Sequence, residues 1–340
     1  MKPPRWVLAV IGAALAMAAA DVAVLLATRD GTPAARADAQ PRTGRVLVVD
    51  PGRNRVVDTV DVGHLPTGIV SGFGGIWVLN RGDGTVSRFD AHSHHVVATL
   101  TPDATAGDIA VGAGGIWLAG PPRGGGRPLE VADLERVDPH TGAIDRSFLT
   151  ETGAAAIAAG GGALWTSGYL GHGVRGAARS NARTGAMRAV ELGIYGDLVA
   201  ADDAGAYWVG SIASRVARVS TRTGKVTASM PLASDESVAA GNLPPNPTDV
   251  ALGGGAVWIS TTDGTVVRVD AQLRGVVARI PACTNALAVA YGLGAVWVGC
   301  ANGTLVRVDP GSDAAGSPIA LDGTPRAVVV GDGAVWVTVA

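Results

Sequence analysis

Residues 249–280 read DVALGGGAVWISTTDGTVVRVDAQLRGVVARI, and this stretch contains one complete unit of the pattern that decides the fold. An apolar run ends in Gly-x-Gly just before Trp258, and a turn at Asp263-Gly264 separates this tryptophan from two further apolar runs. Gly-x-Gly supplies the positive φ that a tight hairpin needs, and Asp-Gly is typical of a second hairpin turn. The stretch therefore predicts four short antiparallel strands, which we call a, b, c and d in chain order.

The same unit occurs seven times along the chain, and each copy carries one tryptophan in strand b: Trp77, Trp117, Trp165, Trp208, Trp258, Trp297 and Trp336. Successive tryptophans are 40, 48, 43, 50, 39 and 39 residues apart. Four antiparallel strands in repeats of this length are typical of the blades of a β-propeller. We therefore predict an all-β, seven-bladed β-propeller over residues 44–340.

The two ends of the propeller predict how its ring closes. The last copy stops at Ala340, directly after strand b. Its strands c and d are expected at the other end of the domain, at residues 45–50 and 55–61. Pairing these strands with the Trp336 strand completes the seventh blade and leaves no open sheet edge.

The N-terminal segment, residues 1–30, is expected to be a signal peptide or a single transmembrane helix. Two basic residues precede a predominantly apolar run over residues 6–28. A helix of that length can cross the hydrocarbon core of a bilayer, whereas the alanines at 18–20 suit cleavage by a signal peptidase. Both alternatives place the propeller outside the cytoplasm, after a linker at residues 31–43, and make this segment its only contact with the membrane.

The composition argues against nucleic acid as a partner. Only 16% of the residues are charged, and the formal net charge is −2. Proteins that bind nucleic acid carry a basic footprint, which this chain lacks. We expect a monomer whose ligand is a protein, a glycan or a small molecule.

Six of the seven copies carry an arginine in strand c: Arg88, Arg136, Arg179, Arg218, Arg268 and Arg307. Trp258 and Arg268 are equidistant from the turn at Asp263, so they should face each other across the two strands. Trp297 and Arg307 are related in the same way. A residue repeated around the ring serves the architecture, because one active site cannot use so many copies. We predict that each of these arginines stacks on its tryptophan.

The two cysteines belong to one hairpin. Cys283 starts strand a of the sixth copy, and Cys300 ends strand b of the same copy. Their positions make them near neighbours at one end of the sheet, and disulfides persist outside the cytoplasm. We predict a Cys283–Cys300 disulfide; the alternative is a pair of small buried apolar residues.

The long loops predict where a ligand binds. In propellers the b–c and d–a connections share one face around the axial mouth. The longest loops of this sequence fall on that face, at residues 120–134, 167–178 and 231–247. Insertions on one face of a repeat array are typical of a binding surface.

Four charged residues are candidates for binding a ligand or a metal at this mouth. Asp108 and Asp249 each lie nine residues before their tryptophans, Asp197 lies nearby in register, and Arg326 lies near another strand-a entrance. Acidic groups around a mouth could hold a divalent cation or a polar ligand. The alternative is that they solvate the channel or cap loop backbone.

Histidine is the other residue type that could carry chemistry here. His64 and His172 fall on the loop-rich face and are the candidate catalytic bases. His92, His94 and His95 fall in a c–d turn on the opposite face, where we expect them to be solvated.

The repeat unit resembles the YVTN and virginiamycin B lyase-like propellers, through Gly-Ala-Val-Trp-Val followed by Gly-Thr-Val-x-Arg-Val-Asp, and the resemblance covers residues 44–340. The tetrapeptide WVLN at 77–80 is the nearest copy of YVTN. The resemblance implies a seven-bladed propeller. The lyase of this group uses a metal, a histidine base and a Glu-x-His segment. No glutamate of this chain is followed at the second position by histidine, so no catalytic residue of the lyase carries over.

These observations favour a non-catalytic propeller outside the cytoplasm that acts as a sensor or scaffold at the cell envelope. Its ligand is expected on the long-loop face. The alternative is a divergent metal-dependent lyase or hydrolase, with His64 or His172 as base and Asp108, Asp197 or Asp249 near the metal. Whether the chain is an enzyme stays open at this point.

Overall fold

The computed structural model describes residues 44–120, 132–150, 154–170, 174–210, 214–233 and 245–340. The expected signal peptide or transmembrane helix at 1–30 and the linker at 31–43 lie outside the described residues. A helix long and apolar enough to cross a bilayer is not found in the described part of the chain.

The described strands form seven antiparallel sheets, which are the seven predicted blades. The chain begins with β1 (Gly44–Asp50) and β2 (Arg55–Val62). Blade 1 contains β3 (Pro66–Gly72), β4 (Gly75–Asn80), β5 (Thr85–Asp90) and β6 (Val96–Leu100). Blade 2 contains β7 (Asp108–Gly112), β8 (Gly115–Gly120), β9 (Ala132–Val137) and β10 (Ile144–Thr150). Blade 3 contains β11 (Ala156–Gly160), β12 (Ala163–Leu170), β13 (Val174–Asn181) and β14 (Met187–Val190).

The second half of the chain repeats this arrangement. Blade 4 contains β15 (Leu198–Ala201), β16 (Ala206–Gly210), β17 (Arg215–Val219) and β18 (Val226–Pro231). Blade 5 contains β19 (Pro247–Gly253), β20 (Ala256–Thr261), β21 (Thr265–Asp270) and β22 (Val276–Pro281). Blade 6 contains β23 (Ala286–Gly292), β24 (Ala295–Cys300), β25 (Thr304–Asp309) and a divided strand d, β26 (Ala314–Ala315) and β27 (Ile319–Ala320). The last strands are β28 (Pro325–Gly331) and β29 (Ala334–Val339).

The ring closes as predicted. The seventh sheet has the order β2-β1-β29-β28, so the two ends of the propeller complete one blade. Val48 of β1 lies opposite Trp336 of β29. The seven a strands contact each other in a complete circle, which makes them the innermost strands.

The glycine that ends strand a has two roles in six blades. Its carbonyl accepts the indole N–H of the blade's tryptophan at 3.0–3.4 Å, and these acceptors are Gly72, Gly112, Gly160, Gly253, Gly292 and Gly331. Strand a of the next blade also approaches it closely: a methyl group on Gly292 would lie 2.6 Å from Cβ of Val330. The first glycine of Gly-x-Gly is therefore required for packing.

The last glycine of Gly-x-Gly provides the predicted positive φ. In blade 6 the two turn residues are Leu293 and Gly294, with φ of 51° and 70°. Blade 1 has the same turn at Phe73 and Gly74, with φ of 55° and 69°. Positive φ at both central residues matches the right-handed twist of the flanking strands.

The hydrophobic core lies between neighbouring blades. In four blades the predicted arginine stacks on its tryptophan and covers this core. The seven tryptophans of the blades are fully buried, and Trp77 for example belongs to one apolar cluster with Ile109 of blade 2. The guanidinium carbons lie 5.0–5.8 Å from the indole centroids in the blades of Arg88, Arg179, Arg268 and Arg307. Another of the predicted arginines, Arg136, lies opposite Trp117 in register.

Blade 4 departs from this pattern by one residue. Trp208 lies opposite Ala217. Arg218 instead lies opposite Tyr207, with its guanidinium carbon 5.9 Å from the ring centroid. Neighbouring residues of a strand point to opposite faces, so Tyr207 faces blade 5, where its hydroxyl donates to the carbonyl of Ala271 at 2.8 Å. The predicted Trp208–Arg218 stack is therefore wrong.

Trp208 packs in the reverse direction, toward blade 3. Its ring contacts Trp165 edge-on, with centroids 5.7 Å apart. The residue five positions earlier is Asp203, in the turn, so blade 4 lacks the glycine that accepts the indole N–H elsewhere. Within the described residues this buried N–H has no hydrogen-bond partner.

Blade 7 has no arginine opposite its tryptophan, and a histidine of blade 1 takes that place. The His94 ring lies edge-on to Trp336, with centroids 5.1 Å apart, and its Nδ1 is 2.6 Å from Oδ2 of Asp58. The hydrogen bond to His94 holds the pKa of Asp58 below its usual value. The prediction of a solvated turn is wrong for His94, whose side chain is 24% exposed.

The predicted disulfide is present, and one predicted loop is shorter than expected. Cys283 and Cys300 are bonded, with Cα atoms 6.3 Å apart. In blade 3 the expected loop at 167–178 is largely a hairpin, since the ladder continues from Ser167 opposite Ala177 to the ends of β12 and β13. The two strands pair beyond the expected length because the added residues form further backbone hydrogen bonds.

We expect Trp208→Phe to destabilise the protein less than Trp258→Phe, by about 1–2 kcal/mol. Phenylalanine at position 258 removes an indole bond of 3.0 Å to the Gly253 carbonyl. At position 208 it removes a buried donor that has no acceptor among the described residues. Urea unfolding of the two variants measures the difference, and an equal or larger loss at position 208 would contradict the expectation.

Candidate functional site

Asp108 and Asp249 occupy matching positions on the inner strands of blades 2 and 5. Each is paired with the residue two positions after the blade's tryptophan. An inner strand has no further strand on its axial side, so some of its amides lack a ladder partner. Side chains of these inner strands can supply the missing acceptors.

Each of these carboxylates links its own blade to the next one through hydrogen bonds. Asp108 accepts the amide of Ile109 in its own strand and that of Ile157 in blade 3, each at 2.8 Å. Asp249 accepts the amide of Val250 in its own strand at 2.8 Å and the amide of Val289 in blade 6 at 2.9 Å. These contacts match the alternative in which the mouth residues cap the backbone.

Burial raises the pKa of both groups. Each residue is half-buried overall, but its carboxylate lies among the backbone atoms of two blades. Loss of hydration raises the pKa of Asp108 to about 6 and that of Asp249 to about 7, although the amide donors lower both. The negative charge of Asp108 adds to the rise in the pKa of Asp249. The two groups therefore change charge near neutral pH.

Asp197 lies one position earlier than these two residues. Tyr207 occupies the place of the tryptophan in blade 4, so Leu198 corresponds to Asp249. The backbone of Asp197 links strands: its amide donates to the carbonyl of Val209 at 3.0 Å, and its carbonyl accepts the Ser167 hydroxyl at 2.8 Å.

The other candidates are not brought together. Arg326 is exposed on the inner strand of blade 7. His64 is in the connection to blade 1, where its amide donates to Oδ2 of Asp83 at 2.6 Å. His172 lies outside the described residues. Across the described ranges, no three His, Cys, Asp or Glu side chains converge as metal ligands would.

One buried carboxylate was not predicted from the sequence. Glu135 on β9 is fully buried, and its Oε1 accepts the amide of Ala104 at 2.9 Å. It occupies the position that Val267 has in blade 5, opposite the residue after the tryptophan. A comparison of the repeats position by position would have found it, because an acidic residue there breaks an apolar pattern.

No family model matches the chain, and no curated protein matches its sequence. Solved structures share its fold. Hydrazine synthase of Kuenenia stuttgartiensis is similar with a TM-score of 0.60 at 13% identity, over 78% of this chain and 89% of that chain. The WD40 β-propeller domain of Doa1 is similar with a TM-score of 0.54 at 10% identity, over 81% of this chain and 94% of that chain. At these identities the likeness shows the propeller fold alone.

We expect the free energy of unfolding to fall as the pH rises from about 4 to about 7. A carboxyl with a raised pKa keeps its proton in the folded state over this range and loses it in the unfolded state. A pKa that is higher by one in the folded state adds about 1.4 kcal/mol of stability at low pH, and this contribution is lost as the folded group ionises. The double variant Asp108→Asn/Asp249→Asn should show a weaker pH dependence.

Chemical unfolding at pH 4.5, 6 and 8 measures this dependence. Asp103→Asn is the matched control, because Asp103 is exposed on the same connection that precedes Asp108. An unchanged slope in the double variant would show that neither carboxyl has the raised pKa.

Proposed function

We propose that this chain is a non-catalytic β-propeller outside the cytoplasm, which binds a protein, a glycan or a small molecule on its long-loop face. It would act as a sensor or scaffold at the cell envelope. The family proposed for it is that of the YVTN and virginiamycin B lyase-like propellers, supported by the seven tryptophan-centred repeats.

One observation carries this proposal: the longest b–c and d–a connections all follow strands of blades 2, 3 and 4. The b–c connection of blade 2 includes residues 121–131, and residues 232–246 connect blades 4 and 5. Blade 3 adds its lengthened hairpin between them. In blade 6 the same connection is only residues 301–303. Uneven insertions on one face of a repeat array favour recognition of a specific ligand there.

The contacts of the mouth carboxylates favour binding over catalysis. A metal or a general base needs lone pairs that are free to reach the ligand or the substrate. Each oxygen of Asp108 and of Asp249 already accepts one backbone amide, so half of the lone pairs of each carboxylate are engaged in linking strands. These groups are therefore better suited to linking neighbouring blades than to binding a metal or acting as a base.

The disulfide supports a location outside the cytoplasm, because thiols stay reduced in most cytoplasmic proteins. We expect protein from native cells, denatured in the presence of an alkylating mass tag, to take up no tag on Cys283 or Cys300 without reduction. After reduction it should take up two tags. Full labelling without reduction would contradict both the disulfide and the proposed location.

Photo-crosslinking in native cells tests the binding face. A crosslinking amino acid at Glu236, in the blade 4–5 connection, should capture a partner that is lost when residues 121–131 are replaced by Asn-Gly. The matched control places the same amino acid at Gln272, exposed in a c–d turn on the opposite face. A glycan array with the same proteins covers carbohydrate ligands. Equal capture at both positions, or no capture by either method, would count against the proposal.

A metal titration tests the alternative lyase or hydrolase. With Mg²⁺, Mn²⁺ or Ca²⁺ at a hundredfold excess over its Kd, a site present only in the native state would add about 2.7 kcal/mol to stability. We expect equal melting temperatures with metal and with EDTA. A metal-dependent rise that Asp108→Asn/Asp249→Asn abolishes would favour the enzyme instead.

A further inference from the structure

A cleft of about 550 Å³ opens between blades 2 and 3, on the face opposite the long loops. It is lined by the a–b turns of both blades, the c–d turn of blade 3 at residues 181–184, and two arginines of blade 2, Arg136 and Arg146. The a–b turn of blade 3 contributes only Gly162 to the lining, so no side chain of this turn enters the cleft.

The lining is rich in positive charge. Arg136 is neutralised within its own blade, since it pairs with Asp145 and donates to the carbonyl of Gly114. Arg146 lies opposite Arg136 in register and reaches across the junction to the carbonyl of Ala182 at 3.4 Å. Arg183 is exposed on the c–d turn. Arg146 and Arg183 form no ion pair with any carboxylate of the described ranges.

The corresponding junction between blades 5 and 6 contains a carboxylate of the protein itself. Arg268 donates to the carbonyl of Pro310 at 2.7 Å and to Oδ1 of Asp313 at 2.8 Å. In the repeat, Pro310 corresponds to Ala182 and Asp313 to Gly185. The c–d turn of blade 6 thus supplies an oxyanion to its junction, whereas Gly185 at the same position supplies none. Arg268 corresponds to Arg136, whose carboxylate partner is Asp145 instead. Arg146 has no carboxylate partner among the described residues.

The junction between blades 3 and 4 carries the same arginines in a different setting. Arg188 and Arg222 correspond to Arg146 and Arg183. Here the a–b turn of the following blade carries two carboxylates, Asp202 and Asp203, in place of Gly160 and Gly161. These carboxylates accept backbone amides and lower the net positive charge of the junction, but among the described residues they form no ion pair with the two arginines.

We propose that the cleft between blades 2 and 3 binds a small molecule that carries a carboxylate or phosphate group. The guanidinium groups of Arg146 and Arg183 bind the oxyanion, since planar guanidinium matches both anions with two parallel hydrogen bonds. The Thr184 hydroxyl, which also lines the cleft, can donate a further bond. The volume lies within the range of small-molecule sites. This site is separate from the long-loop face and does not depend on the function proposed for it.

Isothermal titration of the full-length protein tests this site, with pyrophosphate and citrate as probes and glycerol as the uncharged control. We expect at least one anion to bind, and Arg146→Gln/Arg183→Gln to weaken it at least tenfold. Binding of pyrophosphate alone or of citrate alone supports the proposal and identifies the preferred anion.

Arg188→Gln/Arg222→Gln is the matched control, because it removes the same two charges at the neighbouring junction. This variant should bind as the wild type does. Thermal unfolding of both variants checks that they fold. An equal loss in the two variants would show a general charge effect and overturn the proposal, as would the absence of binding by either anion at millimolar concentration.

Discussion

The fold depends on how closely the seven inner strands approach each other around the axis. In six blades strand a ends at a glycine beside which the next blade leaves almost no space: a methyl group on Gly292 would lie 2.6 Å from Cβ of Val330. The glycine there also places a bare carbonyl within reach of the buried indole N–H. One residue thereby satisfies a steric limit and a hydrogen-bonding demand, and the tryptophan fills the space between two blades.

Blade 4 shows what happens when that glycine is missing. Its turn contains Asp202 and Asp203, the ladder moves by one residue, and Tyr207 takes the forward position. The tyrosine hydroxyl finds its acceptor in the next blade, whereas Trp208 packs backwards on Trp165. The propeller tolerates the change because blades 3 and 5, the two neighbours of blade 4, still each contact an aromatic side chain from it. The cost is one buried indole N–H without an acceptor among the described residues.

Charge in this propeller is used mainly at the junctions between blades. Asp108 and Asp249 clasp inner strands by accepting amides, and Asp313 neutralises Arg268 across an outer junction. At the closing blade His94 and Asp58 take over the position of an arginine. The cleft beside Arg146 differs from these junctions, because no described carboxylate pairs with Arg146 or Arg183. Uncompensated charge in a cleft is favourable only when solvent or a ligand satisfies it.

The sequence alone determined the seven blades, the split closing blade, the disulfide and most of the arginine stacks, because these follow from local spacing repeated many times. A strand pairs with its neighbour through a short turn, so counting residues gives the register of Trp258 opposite Arg268. Tertiary structure alone decided the reversed Trp208, the capture of His94 by Trp336 and the amide bonds of Asp108 and Asp249. Each of these is a contact between blades, and its geometry depends on the relative placement of two sheets, which spacing within one repeat does not encode.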